Sequence, residues 1–156
     1  MKIAVFPGSF DPVTNAHLDI IDRGQAIFDK VYVAVGVNQQ KKGFFSVEDR
    51  LDILREVFGN NKRVEPIKFT GLTVDLCREL SARYILRGMR STLDFEYERA
   101  IADNNAVLAP GIETVFLVSR GGLSHISSTI IREIMVNKGD VSALVPRAVL
   151  AAYGRL

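Results

Sequence analysis

Residues 3–17 read IAVFPGSFDPVTNAH and predict how the chain begins to fold. The first four residues are apolar and partly β-branched, as in a buried strand. Pro7 and Gly8 interrupt that pattern and predict a tight loop. Thr14 is of a type that caps helices, and a helical pattern extends from it to Phe28. The stretch therefore predicts a strand, a loop and a helix in direct succession, which is the opening unit of an α/β fold.

The same alternation continues along the chain. The predicted strands are Ile3–Phe6, Val31–Val37, Arg63–Phe69, Tyr84–Arg87 and Thr114–Val118. The predicted helices are Thr14–Phe28, Ser46–Phe58, Leu72–Ala82, Ser91–Leu108, Ser127–Asn137 and a short one opened by Pro146. Alternation with short connections predicts a Rossmann-like, doubly wound parallel sheet of five strands with helices on both faces. We expect residues 1–156 to form a single domain.

Two strands carry information about their place in the sheet. The segments Val31–Val37 and Thr114–Val118 are apolar nearly throughout, which predicts strands covered on both faces. Pro66 lacks the N–H that a ladder needs, so Arg63–Phe69 is predicted to be an edge or irregular strand.

Composition and charge narrow the class of protein. Apolar residues make up 47% and charged residues 24%, as in an ordinary globular chain, and the net charge of +2 argues against a dedicated nucleic-acid binder. The single cysteine, Cys77, lies on an apolar helical face and predicts a core residue. Because no run of about 18 apolar residues occurs, we expect no membrane span and a cytoplasmic location.

The common signatures of phosphate and metal chemistry are absent from the sequence. No G-x-G-x-x-G follows the first strand, and no G-x-x-x-x-G-K-[ST] occurs. No His, Cys, Asp and Glu cluster has metal-site spacing, and no G-x-S-x-G is present. A P-loop kinase, a standard dinucleotide dehydrogenase and a dedicated metal site are therefore not predicted.

The loop after the first strand is the first candidate site. Gly8 allows a ligand close to the backbone, and Ser9 offers a hydroxyl. His17 falls in the first helical turn, where free N–H groups and the helix dipole favour a phosphate. The alternative is a capped helix that carries a surface histidine.

The start of the fifth helix is the second candidate site. Three consecutive hydroxyl residues, Ser127, Ser128 and Thr129, open it and offer donors to a triphosphate. Ordinary N-capping would need only one of them. His125 either lines this site or lies on the surface.

Together these segments resemble the nucleotidyltransferase superfamily, which carries T/H-x-G-H and I-S-S-T-x-I-R motifs at these places. Ile126–Arg132 matches the second motif in full, and Thr14–His17 matches the first with Ala16 where glycine is usual. Over essentially the whole chain, further segments are similar to the phosphopantetheine adenylyltransferase family of that superfamily. These are Pro7–Pro12, Thr14-Asn15, Lys41-Lys42, Leu86–Arg90, Asp94–Glu98 and Gly139–Val141.

Three cations complete the predicted site. Lys41 follows a strand, so its ammonium can reach an acceptor phosphate, although a lysine in a loop is also commonly just solvated. Arg87 and Arg90 flank Gly88 at the end of the fourth strand, where a guanidinium fork can bind phosphate oxygens. Two arginines at the end of a buried strand favour an anionic partner.

The resemblance implies a set of site residues. Its catalytic residues are His17, Lys41 and Arg90. Its ATP contacts are Ser9, Phe10, His17, Gly88, Met89, Arg90, Glu98, Leu123, Ser124, His125, Ile126, Ser127, Ser128 and Thr129. Its acceptor contacts are Ser9, Lys41, Thr73, Arg87 and Asn105. Ser9 replaces a frequent threonine, and Leu123 and His125 stand where the family commonly has an aromatic residue and phenylalanine.

The resemblance also implies a reaction, in which adenylate moves from ATP to 4′-phosphopantetheine and dephospho-coenzyme A and pyrophosphate form. It implies Mg²⁺ entering with ATP, dephospho-coenzyme A or coenzyme A as product or feedback ligand, and a homohexamer, whereas the small net charge and the lack of long apolar runs predict no nucleic-acid or membrane partner. Two alternatives remain open: transfer to another phosphate such as nicotinamide mononucleotide, and a nucleotide-binding module without catalysis.

Overall fold

A computed structural model describes residues 1–156 and contains one five-stranded sheet with six helices. The strands are β1 Ile3–Gly8, β2 Lys30–Gly36, β3 Val64–Phe69, β4 Tyr84–Met89 and β5 Glu113–Val118. The helices are α1 Asn15–Gly24, α2 Val47–Phe58, α3 Thr73–Glu79, α4 Thr92–Leu108, α5 Ser128–Val136 and α6 Arg147–Tyr153. All neighbouring strands are parallel, which confirms the predicted Rossmann-like sheet.

The strand order β3-β2-β1-β4-β5 reverses direction between β1 and β4. The pairing of β1 with β4 covers only Ala4 with Tyr84 and Val5 with Ile85, whereas β1 and β2 pair along their whole length. The carboxyl ends of β1 and β4 therefore separate, and a crevice opens between them. Ligands of doubly wound sheets bind at such a point.

The two predictions about individual strands had different outcomes. The edge position of the third strand is confirmed, because β3 lies at one end of the sheet. No further strand lies beyond it, so the N–H that Pro66 lacks is not needed there for a ladder bond. The prediction that Thr114–Val118 is covered on both faces is confirmed only in part. Val115 and Leu117 pack against the core and Phe116 packs against Phe95 of α4, but the segment forms the opposite edge strand, and its residues are only half-buried or exposed.

The apolar core lies on both faces of the sheet, in unequal amounts. One cluster of 25 buried residues packs α1, α2, α5 and α6 against one face, and a cluster of 8 packs α3 against the other. Cys77 belongs to the smaller cluster, as predicted, and burial raises the pKa of its thiol to about 11. None of the six helices combines the length and apolar character that a membrane span requires.

Two helices end earlier than the sequence pattern predicts. After Gly24 the backbone of residues 25–27 continues in single turns rather than in the predicted helix to Phe28. Helix α3 ends at Glu79, not at Ala82, because Ser81 adopts a left-handed φ of 54° and the Ala82 N–H bonds to Cys77 O. Both differences are local stops that apolar periodicity does not detect.

Candidate active site

The crevice between β1 and β4 holds a cavity of about 270 Å³. Its lining comes from the end of β1 and the loop after it, the first half of α1, the end of β4, the first half of α4, Ser119 after β5, and the start of α5. The predicted site residues among its lining are Ser9, Phe10, His17, Arg87, Gly88, Arg90, Glu98, Ile126, Ser127, Ser128 and Thr129. Segments more than 100 residues apart in sequence therefore meet in one cleft, which we name the phosphate cleft.

His17 is fixed by the residue that caps its helix. The Thr14 side chain accepts a hydrogen bond from the His17 N–H, and the Thr14 N–H donates to His17 Nδ1 at 3.0 Å. Because Nδ1 is thus an acceptor, the proton of a neutral ring sits on Nε2. Burial lowers the pKa of His17 to about 4, helped by the charges of Arg87 and Arg90. At neutral pH His17 is therefore an uncharged donor through Nε2.

The loop after β1 is held by hydrogen bonds to its main-chain carbonyls from two helices. Ser128 Oγ donates to Pro12 O at 2.8 Å, and Arg132 Nη1 donates to Asp11 O at 2.7 Å, both from α5. Arg50 Nη1 donates to Ser9 O at 2.9 Å from α2. Residues 9–14, which follow Gly8 and which we name the glycine loop, are therefore rigidly joined to the hydroxyl-rich start of α5, which is what a preformed site needs.

The start of α5 combines a cap with a set of free donors. Ser127 is the N-cap, and its side chain accepts from the Ile130 N–H, so the capping alternative holds for this residue. Thr129 Oγ1 accepts a bond from Arg132 Nη2 at 3.2 Å. The N–H groups of Ser128 and Thr129 lie in the first turn, where a helix provides no internal acceptors. They line the cleft together with the positive end of the helix dipole, which favours a bound anion.

Arg90 connects the end of β4 with the segment before α5. Its Nε donates to Asp94 Oδ2 at 3.1 Å, and its Nη1 donates to Ile126 O at 3.3 Å. The side chain is therefore directed across the cleft by two partners, rather than free in solvent.

Arg87 is paired with a carboxylate from α4. Its Nε and Nη2 donate to the two carboxylate oxygens of Glu98 at 2.8 and 2.5 Å, and its Nη1 donates to Pro7 O. Glu98 is the only buried residue of the 17 in α4. This two-bond pair, which we name the Arg87–Glu98 pair, occupies the guanidinium fork in the structure.

A second cavity of about 250 Å³ adjoins the first. Thr73 and Asn105, two of the predicted acceptor contacts, line it together with Phe69 and Ile101. Pro7, Gly8 and the Arg87–Glu98 pair line both cavities. The pair therefore forms part of the boundary between a cationic, hydroxyl-rich cleft and a pocket that also holds apolar side chains.

Comparisons with known proteins agree with this geometry. Residues 5–134 match the cytidylyltransferase-like family model. A phosphopantetheine adenylyltransferase of Flavobacterium psychrophilum is 50% identical over 96% of this chain and 98% of its own length. One from Nocardioides sp. strain JS614 is 49% identical over 100% and 96%, and one from Clostridium botulinum strain Alaska E43 is 44% identical over 97% and 95%. The chain belongs to the phosphopantetheine adenylyltransferase family.

Five of the residues expected from the phosphopantetheine adenylyltransferase resemblance line neither cavity: Lys41, Met89, Leu123, Ser124 and His125. Lys41 is exposed on the loop between β2 and α2 and forms no ion pair. Leu123 packs against the core, whereas Ser124 and His125 are exposed. For this member of the phosphopantetheine adenylyltransferase family, these residues' roles stay predictions.

Sequence reasoning missed several residues that shape the site of this phosphopantetheine adenylyltransferase family member. Asp94 and Ser119 line the phosphate cleft, Asp11 is a buried residue of its glycine loop, and Arg50 is buried beside that loop. Asp94 lies in the first turn of α4, four residues after Arg90, and this spacing was a usable signal for the Arg90–Asp94 pair. Nothing local in sequence indicates that Asp11 and Arg50, 39 positions apart, come together.

Proposed function

We propose that this chain transfers adenylate from ATP to 4′-phosphopantetheine and releases dephospho-coenzyme A and pyrophosphate, a step of coenzyme A biosynthesis. The observation that carries the proposal is the meeting of His17, Arg90 and the start of α5 in one cleft beside a second pocket. One ligand needs the cationic cleft for its phosphates, and the other needs the neighbouring pocket for its uncharged arm. The names of relatives at 44–50% identity supply the two ligands.

In the proposed reaction the acceptor phosphate is the nucleophile. One of its oxygens attacks the α-phosphorus of ATP in line, the bond from that phosphorus to the bridging oxygen breaks, and pyrophosphate leaves. No protein side chain needs to form a covalent bond, so catalysis consists of positioning the two phosphates and stabilising the negative charge that shifts between them.

The leaving side of the reaction is assigned to the phosphate cleft. The free N–H groups of Ser128 and Thr129 would hold the β- and γ-phosphates. His17 Nε2–H and the Arg90 guanidinium would stabilise charge as the α-phosphate is attacked. The low pKa of His17, about 4, supports a role as a neutral hydrogen-bond donor that keeps its proton throughout.

The acceptor side is assigned to Arg87, Lys41 and the second pocket. Thr73 and Asn105 would contact the pantetheine arm. Arg87 would orient the attacking phosphate, with Glu98 holding its guanidinium in one direction. Lys41 would reach the same phosphate when its loop closes over the acceptor.

Mg²⁺ is proposed to enter with ATP and to keep most of its waters. The two carboxylates that line the phosphate cleft, Asp94 and Glu98, are both paired with arginines, so neither is an unpaired ligand for a resident ion. The ion would neutralise phosphate charge and leave positioning to the chain. We also propose the homohexamer, the cytoplasmic location and coenzyme A as a feedback ligand, all on family likeness alone.

Acceptor exchange tests the proposed function. Pyrophosphate release is measured with ATP and Mg²⁺ and either 4′-phosphopantetheine or nicotinamide mononucleotide. We expect release with 4′-phosphopantetheine and almost none with nicotinamide mononucleotide. The reverse result would establish the other acceptor, and ATP binding without any release would establish a nucleotide-binding module.

A further inference from the structure

Asp11 and Arg50 form a buried charged cluster beside the site, and the reaction described above makes no use of it. Both residues are less than 10% exposed, Asp11 at 6% and Arg50 at 7%. Burying two charges costs several kcal/mol unless other polar groups satisfy them. The partners of these two residues therefore indicate what the cluster holds together.

The carboxylate of Asp11 binds the loop that leads into α2. Its two oxygens accept hydrogen bonds from the N–H groups of Phe44 and Phe45, both at 2.8 Å. Two N–H groups on one ionised carboxylate form a strong, directional attachment. Asp11 thus joins the glycine loop of the phosphate cleft to a segment 33 and 34 residues away.

Arg50 bonds to both of the segments that Asp11 joins, the glycine loop and the loop that leads into α2. Its Nε donates to Phe45 O at 3.1 Å and lies 4.0 Å from Asp11 Oδ1, and its Nη1 donates to Ser9 O at 2.9 Å. A β-carbon at Gly43 would lie 2.7 Å from Arg50 Nη2 and 2.9 Å from Asp11 Oδ2. The junction therefore requires a glycine at that place, and we name Asp11, Gly43 and Arg50 the loop latch.

The loop latch fixes one end of the segment that carries Lys41. At the other end, the Val37 N–H bonds to Phe69 O at 2.9 Å. Between these anchors, residues 38–42 are exposed, and their backbone bonds are confined to a turn on Asn38. The position of Lys41 is thus set by two anchors, of which the loop latch is the nearer in sequence and the only one attached to the phosphate cleft.

We propose that Asp11 is a positioning residue of the transfer reaction, which acts through Lys41 by fixing the loop latch. This inference rests on the proposed function, because Lys41 has a task only if an acceptor phosphate binds. Small displacements of a positioned group reduce turnover strongly. Arg132 of α5 bonds to the main-chain oxygen of Asp11, which no side-chain substitution removes, and Arg50 has its own bond to Ser9 O, so both attachments of the loop on the ATP side remain available.

The test substitutes Asp11→Asn, which keeps the shape but leaves one amide oxygen for two N–H donors. The initial rate of pyrophosphate release is measured with 4′-phosphopantetheine and ATP varied in turn. We expect kcat/KM for 4′-phosphopantetheine to fall about tenfold, while KM for ATP changes by less than about twofold. Asp29→Asn is the matched control, because Asp29 also binds a main-chain N–H, that of Lys2, outside both cavities, and it should leave both parameters unchanged.

A double-mutant cycle decides between positioning and general stability. We expect Lys41→Ala alone to cost about a hundredfold in kcat/KM for the acceptor, and Asp11→Asn to add less than about twofold in that background. A full additional tenfold loss, an equal rise in KM for ATP, or a normal rate for Lys41→Ala would each overturn the inference.

Gly43→Ala disturbs the loop latch in a second way, which keeps the carboxylate of Asp11. It replaces Asp11→Asn in the test if that variant does not fold. We expect the same pattern, with an effect on the acceptor parameters that disappears in the Lys41→Ala background. An effect of Gly43→Ala that persists in full with Lys41→Ala contradicts the inference. A wild-type chain that releases no pyrophosphate with either acceptor overturns the proposed function, and this inference with it.

Discussion

The two sides of the crevice differ in how far the structure has already built them. On the ATP side, the glycine loop, His17 and the start of α5 are tied to each other by hydrogen bonds. On the acceptor side, Arg87 is paired with Glu98, and Lys41 lies exposed on a loop. A preorganised set of donors needs no rearrangement as charge develops, whereas the proposed reaction requires Lys41 to move to the acceptor phosphate. The comparison teaches that the cleft is built without a ligand, and that in the proposed reaction any rearrangement concerns the loop that carries Lys41.

Substitution of His17 is expected to have the largest effect, and it tests whether the donors of the ATP side are preorganised. Because it supplies a fixed neutral donor, we expect His17→Ala to lower kcat by about two to three orders of magnitude while the fold survives. Circular dichroism checks the fold, and pyrophosphate release gives kcat. The matched comparison is His125→Ala, which lies outside both cavities and should cost less than about tenfold. Near-normal turnover of His17→Ala would remove the assigned role.

The pH dependence of stability tests the environment of the same residue. The folded pKa of His17, about 4, lies below its ordinary value of 6.5, so the unfolded chain takes up a proton first as pH falls. The stabilisation is complete above pH 6.5 and is lost progressively between that value and about 4. Between pH 7 and pH 5, the wild type should lose about 2 kcal/mol more unfolding free energy than His17→Ala.

Urea unfolding of both proteins at the two pH values measures this difference. Equal pH dependence of the two would mean that His17 is as accessible to protons folded as unfolded. That result would contradict a half-buried, neutral histidine in the cleft.

The Arg87–Glu98 pair tests the acceptor side. Lysine keeps the charge but cannot make two parallel bonds to Glu98 and a third to Pro7 O. We expect Arg87→Lys to lower kcat/KM for 4′-phosphopantetheine about tenfold, with little change in KM for ATP. Arg83→Lys, at the exposed position just before the same strand begins, is the control and should behave as wild type. An equal effect on both substrates would remove the distinction between the two sides.

The smallest expected effect concerns the hydrogen bond that joins the start of α5 to the loop after β1. Ser128→Ala removes the Oγ bond to Pro12 O, which should lower the unfolding free energy by about 1 kcal/mol. Because the main-chain N–H of residue 128 remains, KM for ATP should rise only slightly. Thermal unfolding and steady-state kinetics measure the two quantities. A large rise in KM without a loss of stability would mean that the hydroxyl itself contacts ATP.

Much of the fold could be predicted because the relevant patterns are local. Apolar runs located all five strands, and hydroxyl residues located the starts of α1, α2, α4 and α5. The edge position of β5 was missed, because an edge strand with half-buried residues can have the same apolar composition as a fully buried strand. Strand order is a non-local property that composition does not encode.

The site could be predicted in its residues but only partly in its contacts. The motifs around His17 and Ser127–Thr129 pointed to one sheet edge, where the structure has them in one cavity. Partner choice was not predictable: Glu98 pairs with Arg87 across 11 residues, and Asp11 joins a loop 33 residues away. Such pairs depend on how loops pack over the sheet, for which a single sequence provides no periodic signal.

The central claim is that adenylate passes between two phosphates in this crevice, and the fate of the α-phosphate tests it most directly. ATP labelled in the α-phosphate is incubated with 4′-phosphopantetheine, Mg²⁺ and either the wild type or His17→Ala. The account predicts that the label appears in dephospho-coenzyme A and none in pyrophosphate, and that labelled product forms far more slowly with His17→Ala. Label that remains in AMP or ADP, with an unmodified acceptor, would contradict it.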